Sequence, residues 1–320
     1  MGFLTGNVLM AKFTIKRLSR NPIITPEHFG EKAGLEGYNI NGPSLIRVPD
    51  WVDSPLGKYY LYFGHHQGKY IRLAYADEPE GPYTFHDGGV LSIPDSLINM
   101  QKRKKKTNTH IASPDVHVFE DKKEIWMYFH ANIRGKGAYK NQGQTSFLAI
   151  SKDGLNFKII PRILGPFYMR VFQHEGMFYS IAKNDNLDAI LIRSQDGKTM
   201  FEPGPSFELH YRHGALLKRG NIMHVFFTRA FEMQESILHA TMNLEENWMD
   251  WTLSESELVL KPEHDWEGAN LPKIQSRYGG AAYEVNAIRD PCIFEEEEKI
   301  FLLYSVKGEK GIAIARIEGL

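Results

Sequence analysis

One cysteine, Cys292, stands in 320 residues. No intrachain disulfide can form, and a cysteine-based zinc site is excluded. An excess of charge of either sign is also missing. The 38 Lys and Arg face 39 Asp and Glu, for a formal net charge of −1. That balance argues against bulk binding to nucleic acid or to an anionic membrane surface. Residues 1–11 carry a short apolar patch with no basic start before it, unlike a signal peptide, and the patch is too short to span a bilayer. The expected compartment is the cytoplasm, with the periplasm or secretion left open. What is present is ordinary soluble composition, 42% hydrophobic and 24% charged. A sizeable core can form by packing alone.

The chain repeats a three-part unit five times. Each unit begins at small residues or proline: Asn41-Gly42-Pro43-Ser44, Ser113-Pro114-Asp115, Gly165-Pro166-Phe167, His213-Gly214-Ala215 and Asp290-Pro291-Cys292. An apolar run and a polar turn follow. An aromatic-rich segment comes second, at 59–63, 125–129, 177–181, 222–227 and 300–304. An alternating segment comes third, at 71–76, 147–151, 189–194, 237–241 and 312–317. Aromatic and β-branched content suits a pleated, half-buried surface. Two third segments run into Ser151-Lys152-Asp153-Gly154 and Ser194-Gln195-Asp196-Gly197, which predict hairpin turns before an outer strand. No single unit can bury both its faces, and a radial arrangement solves this. The expected fold is all-β: one five-bladed β-propeller domain over 1–320, with 1–11 as an N-terminal extension. The pieces at 13–15 and 23–24 are expected to supply the last outer strand and close the ring. A β-sandwich of equal strand count is the competing architecture.

In such a blade, the start of strand one and the end of strand two meet at one mouth. This places Asn41, Asp115, His213, Arg289 and Asp290 beside His65, His66, His130, Lys183 and Arg229, with Glu284 a little upstream of the fifth start. Glu175 and the acidic run 295–298 fall in turns on the opposite face. The loops 101–107 and 261–286 are expected at the rim.

The chain resembles the five-bladed propeller glycoside hydrolases of families 32, 43, 117 and 130. The resemblance runs through Asn21-Pro22-Ile23-Ile24, Gly64-His65-His66, Ile71-Arg72-Leu73-Ala74, Gly81-Pro82-Tyr83, Ser113-Pro114-Asp115-Val116 and Arg289-Asp290-Pro291. Family 43 usually keeps carboxylates at three starts. Here Asn41, Gly165 and His213 hold the first, third and fourth, so that triad is not carried over. Family 117 is similar in allowing a histidine to act as the acid.

The resemblance implies a glycoside hydrolase, exo-acting on a short oligosaccharide. A glycoside phosphorylase and a non-catalytic carbohydrate-binding propeller are the alternatives. Cleavage needs an acid for the leaving oxygen and a carboxylate for water or the anomeric carbon. The candidates are Asp290 as base or as the carboxylate that sets a neighbour's pKa, Asp115 and Glu284 as further carboxylates, and His213 as proton donor. For Asp290 the alternative is a strand-start cap. For Asp115 it is a bond to neighbouring amides, for Glu284 an exposed loop acid, and for His213 a packed ring. Asn41, His65, His66, Arg72, His130, Lys183, Arg229 and Arg289 are candidate substrate-binding residues. Four cations, Arg72, Lys183, Arg229 and Arg289, suggest an anionic sugar; rim ion pairs are the alternative. No cofactor is required and no metal ligands are assigned, although the central channel leaves room for a structural divalent cation. The oligosaccharide is the expected partner, and the 1–11 extension could reach a second copy in a homodimer.

Overall fold

A computed structural model of the chain describes residues 13–32, 37–66, 68–94 and 110–320. The 1–11 extension and the basic stretch 101–107 lie outside the described residues. The strands are β1 (Thr14–Arg17), β2 (Asn41–Arg47), β3 (Tyr59–Gly64), β4 (Tyr70–Ala76), β5 (Thr84–Ser92), β6 (Ile111–Phe119), β7 (Glu124–Ala131), β8 (Thr145–Ser151), β9 (Lys158–His174), β10 (Met177–Asn184), β11 (Asp188–Ser194), β12 (Glu202–Leu209), β13 (Tyr211–Arg219), β14 (Ile222–Arg229), β15 (Ile237–Asn243), β16 (Glu257–Leu260), β17 (Arg289–Glu296), β18 (Lys299–Ser305) and β19 (Ile312–Glu318). The fold is all-β and propeller-like. Among the described residues no helix is long and apolar enough to cross a membrane.

The anticipated first, second and third strands all form, as antiparallel ladders. The units β2–β5 and β13–β16 are separate four-stranded sheets, and β17–β19 is completed by β1, which pairs with β19. One feature differs from a repeat of separate sheets. β9 pairs with β8 through its first half and with β10 through its second, so the second and third units share one seven-stranded sheet. No loop separates the outer strand of one unit from the inner strand of the next at this point.

The aromatic second strands and alternating third strands are buried because they are covered on both faces. Five apolar clusters lie between consecutive units. Tyr62 and Leu73 pack with Met127 and Phe147, Trp126 and Leu148 with Phe178 and Ile192, and Ile181 and Leu191 with Val225 and Phe227. Phe226 and Ile237 pack with Leu302 and Ile314's neighbours Ala313 and Ala315, and Leu303 and Phe301 pack with Leu45 and Leu61. Each fully buried large apolar side chain contributes about 1.5–3 kcal/mol relative to exposure.

The two Ser-x-Asp-Gly turns form as expected. Asp153 Oδ1 accepts from Leu155 and Asn156 N–H, each at 2.8 Å. Asp196 Oδ1 accepts from Lys198 and Thr199 N–H. A tyrosine from the preceding unit donates to each turn's glycine carbonyl, Tyr62 to Gly154 at 2.9 Å and Tyr128 to Gly197 at 3.1 Å. Both glycines have positive φ, and a Cβ at either would lie within 2.8 Å of those rings' atoms.

Candidate active site

Each first strand breaks register with its second strand at the same end. The pairs are Asn41↔Gly64 then Ser44↔Tyr62, Ala112↔His130 then Asp115↔Tyr128, Phe167↔Lys183 then Arg170↔Ile181, Tyr211↔Arg229 then Gly214↔Phe227, and Arg289↔Ser305 then Cys292↔Leu303. In every case the first strand carries one residue more, which is a β-bulge. Bulges bend a strand and re-aim its side chains. The first extra positions are Gly42, Ser113, Tyr168, Arg212 and Asp290. Four of these have left-handed backbone: Gly42 at φ 59°, Ser113 at 53°, Tyr168 at 57° and Asp290 at 50°. Glycine adopts this readily; for a bulky tyrosine it is a strained conformation that surrounding packing must hold.

The bulges of the fourth and fifth units gather a buried charge cluster. Asp290 is 3% exposed and His213 4%. The Asp290 Oδ1 atom abuts His213 Nδ1, and its Oδ2 accepts from Ser305 Oγ at 3.0 Å. Burial alone would raise the Asp290 carboxyl. Contact with the His213 ring and the charges of Arg212 and Arg289 outweigh burial and hold it well below the usual carboxylate range. Burial pushes His213 down despite Asp290, and Arg212 and Lys183 add to the effect. A neutral His213 that keeps its proton on Nδ1, the nitrogen against the Asp290 carboxylate, leaves Nε2 as a bare lone pair.

Two carboxylates not singled out from the sequence complete the cluster. Glu235, fully buried, takes Arg212 Nε at 3.1 Å, Arg289 Nε at 2.8 Å and the Thr228 hydroxyl at 2.9 Å. Glu309, 1% exposed, faces Arg289 Nη1 at 3.2 Å and Arg212 Nη2 at 3.8 Å, and accepts from the side-chain amides of Asn39 and Asn41. Burial would raise Glu309; the neighbouring His66, Arg289 and Arg212 hold it low, against the opposing charge of Asp290. Both glutamates sit in connections between second and third strands, two and three residues before β15 and β19.

A strap from the long loop before β17 crosses this end. Arg212 donates to the Arg277 carbonyl and to the Gly279 carbonyl at 2.8 Å. A Cβ on Gly280 would lie 2.7 Å from His66 Cγ, so the strap's backbone rests on that ring. The Tyr278 ring lies 4.2 Å from Lys183 Nζ.

The remaining expected residues divide between this site and other places. Asn41 belongs to the cluster through Asn39 and Glu309. His65 is half-buried, and the next residue, His66, stacks on His110, which meets His130 edge-on. Burial pushes His130 well below its ordinary value and His110 down to about 4. Lys183 is 2% exposed beneath Tyr278.

The structure places four of the expected residues away from this cluster. Asp115 lies about two residues, ~7 Å, further along the channel. Its Oδ2 accepts from His117 Nε2 and from Val171 N–H, both at 2.8 Å, and it lines a separate cavity of 310 Å³ with Arg170 and Lys218. Glu284 is half-exposed and pairs with Lys307 at 3.7 Å, because its loop carries it outward. Arg72 points its guanidinium at the Asn39 and Gly64 carbonyls and over the Phe63 ring at 4.5 Å, which makes it an internal brace. Arg229 is a rim residue that pairs with Glu208 at 3.0 Å and Ser256 at 2.9 Å. With Arg289 also paired internally, three of the four cations taken to favour an anionic sugar are already matched by protein groups. Among the described residues no three His, Cys, Asp or Glu side chains converge as metal ligands do.

Solved structures of glycoside hydrolases share this fold. An α-L-arabinofuranosidase from Lactobacillus brevis superposes with a TM-score of 0.60 over 92% of each chain at 12% identity. An α-L-arabinanase from Cellvibrio cellulosa, complexed with arabinohexaose, gives 0.55 over 87% of this chain and 91% of that one at 9% identity. The fold is therefore that of the propeller-like glycoside hydrolases. By sequence, the chain is 34% identical over 305 residues to the uncharacterized protein R118 of Acanthamoeba polyphaga mimivirus, covering 87% of this chain and 83% of that protein, and it belongs to the same family as R118. No model of a described protein family matches it.

Proposed function

We propose that this chain is a glycoside hydrolase that removes units from the end of a short oligosaccharide, and that its five units close into a five-bladed ring. The ring is supported by apolar clusters between each unit and the next, by packing of β17 against β2, and by β1 on β19. The observation that carries the activity is the buried Asp290–His213 pair at the bulged strand ends. Asp290 fixes the imidazole's tautomer and orientation, as a buried carboxylate does for any working histidine. The bare Nε2 then takes the proton of the attacking water. His213 is thus assigned the base rather than the acid, because burial and its cationic neighbours favour the neutral ring. The strap over the mouth favours a chain end over the middle of a polymer.

A phosphorylase needs uncommitted cations for phosphate, whereas Arg212 and Arg289 are already bound to Glu235 and Glu309. The carbohydrate-binding alternative draws on the same fact, since no carboxylate here is free of a protein partner. The test is a panel of arabino-, galacto- and other plant-wall oligosaccharides, with and without phosphate, for the parent, Asp290→Asn and His213→Ala. Cleavage lost at least ~100-fold in both variants supports the reading, the usual scale for one acid–base group. Sugar binding with no cleavage by the parent, or equal cleavage by all three, overturns it.

A further inference from the structure

Asp290 and Glu309 are held ionised, and Glu235 lies between two guanidinium groups. Asp290 and Glu309 therefore carry no proton to a leaving oxygen, and both Glu235 oxygens are engaged by Arg212, Arg289 and Thr228. Burial puts the Tyr168 hydroxyl far above its ordinary value, so it is a poor acid as well. Lys183 is different. Its amine is buried at the end of β10, opposite Phe167. Among the described residues no ion pair or hydrogen bond engages Nζ, and its surroundings are aromatic. The ring centroids of Tyr278, Phe167 and Tyr168 lie at 4.2, 5.5 and 5.6 Å. The charged groups facing it are Arg212 of β13, Asp290 of β17 and Glu235 after β14, with His213 of β13 beside them. Burial and Arg212 destabilise the ammonium more than Glu235 and Asp290 support it, which pushes Lys183 down to about 6. An ammonium weakened in this way is an acid matched to near-neutral water.

We propose that Lys183 is the proton donor to the leaving oxygen, the partner of His213 in the reaction. This rests on the glycosidase reading above. The water oxygen bonds to the anomeric carbon while its proton passes to His213 Nε2. The bond from that carbon to the leaving oxygen breaks, its electron pair stays on the oxygen, and the oxygen takes a proton from Lys183 Nζ. Solvent carries the proton from His213 back to Lys183. A lysine is the unexpected choice for this role, and the three carboxylates' commitments are what leave the role to it.

The test compares leaving groups that need an acid with one that does not. For the sugar the parent releases, methyl and 2,4-dinitrophenyl glycosides are assayed with the parent, Lys183→Met and Lys183→Arg. The expected result is a loss of ~100-fold or more in kcat/KM on the methyl glycoside and the oligosaccharide, and of no more than about threefold on the dinitrophenyl glycoside. Arg holds its proton too firmly to donate, so Lys183→Arg should follow Lys183→Met. Rescue by Arg, or equal losses on both leaving groups, would make Lys183 an electrostatic anchor and overturn the proposal. A parent that cleaves no glycoside removes the hydrolase reading itself; a parent that cleaves both, with variants that match it, removes only the role of Lys183. Should Lys183→Met fail to fold, Lys183→Arg alone still separates the two outcomes.

Discussion

Replacing Lys183 by methionine should stabilise the protein, by an amount that depends on pH in a defined way. The unfolded chain keeps the Lys183 proton up to its ordinary value of 10.5, whereas the folded chain releases it near 6. Between those values unfolding takes up one proton, so the parent's stability rises with pH at about 1.4 kcal/mol per unit. The cost of burying this amine is greatest below pH 6, at roughly 6 kcal/mol, and is about 4–5 kcal/mol at pH 7 and absent above pH 10.5. Methionine fills similar volume and keeps favourable contacts with the surrounding rings. Lys183→Met should therefore exceed the parent by up to ~4 kcal/mol at pH 7, with the gap closing steadily toward pH 10. The contacts with Tyr278, Phe167 and Tyr168 favour the charged form and reduce the gap by about 1–2 kcal/mol. Urea unfolding followed by tryptophan fluorescence at pH 6, 7, 8 and 9 reads this directly. The cluster holds three carboxylates against two guanidinium groups, so a proton resident on Lys183 would make it electrically neutral. If that holds at every pH, the stability curves of parent and variant will run parallel, and the reasoning behind both the magnitude and the proton donor fails.

Glu235→Gln removes the charge shared by two buried guanidinium groups; a loss of about 3–5 kcal/mol is expected in the urea midpoint at unchanged slope. Glu284→Gln and Arg229→Ala should each change stability by less than about 1 kcal/mol, since both groups lie in partly exposed ion pairs, and should leave cleavage within about twofold in the same oligosaccharide assay. Gly280→Val should weaken substrate binding by raising KM, because a Cβ there meets His66 Cγ at 2.7 Å and Glu309 Oε2 at 3.0 Å and lifts the strap; an unchanged KM would separate the strap from the site.

The strands were legible because each pairs a distinctive content with turn residues at its ends. The run Tyr59-Tyr60-Leu61-Tyr62-Phe63 can hardly face water on either side, and it is buried on both. Asp290 and His213 were legible for a related reason, as titratable residues placed where apolar runs begin. Glu235 and Glu309 were not, because the mouth geometry singles out only the few residues just after each second strand. Both lie further along the same connections, just before β15 and β19, so extending the geometric rule through the whole connection would have found them. The settings of Arg72 and Arg229 were not legible, because chain position fixes the end of a blade but not the direction of a long side chain. Asp115 follows Pro114 whereas Asp290 precedes Pro291, so with the same bulge in every first strand the start pattern itself sets Asp115 two residues further along.

The bulges also explain why the chemistry is concentrated on one side of the mouth. All five strands offer the same bulged position, yet the first three fill it with Gly42, Ser113 and Tyr168, and only the last two with charged residues, Arg212 and Asp290. Glu235 and Glu309 come from those same two units, and the strap that roofs the site is part of the connection between them. The ion pairs Arg289–Glu235 and Arg212–Glu309 cross from one unit to the other, and Arg212–Glu235 and Arg289–Glu309 close within each, so the four together bind the fourth unit to the fifth at the point where His213 of one meets Asp290 of the other. Buried pairs of this kind contribute little net stability relative to apolar packing, which the clusters below already supply. Their effect is on position: they fix two backbones so that Asp290, in a strained left-handed conformation, faces His213 without room to turn away. The third unit then brings Tyr168 against the imidazole, 4.2 Å between centroids, with Lys183 Nζ 5.6 Å from the same tyrosine ring. The asymmetry of charge around a repeated set of strands is what gathers Asp290, His213 and Lys183 about the one ring of Tyr168.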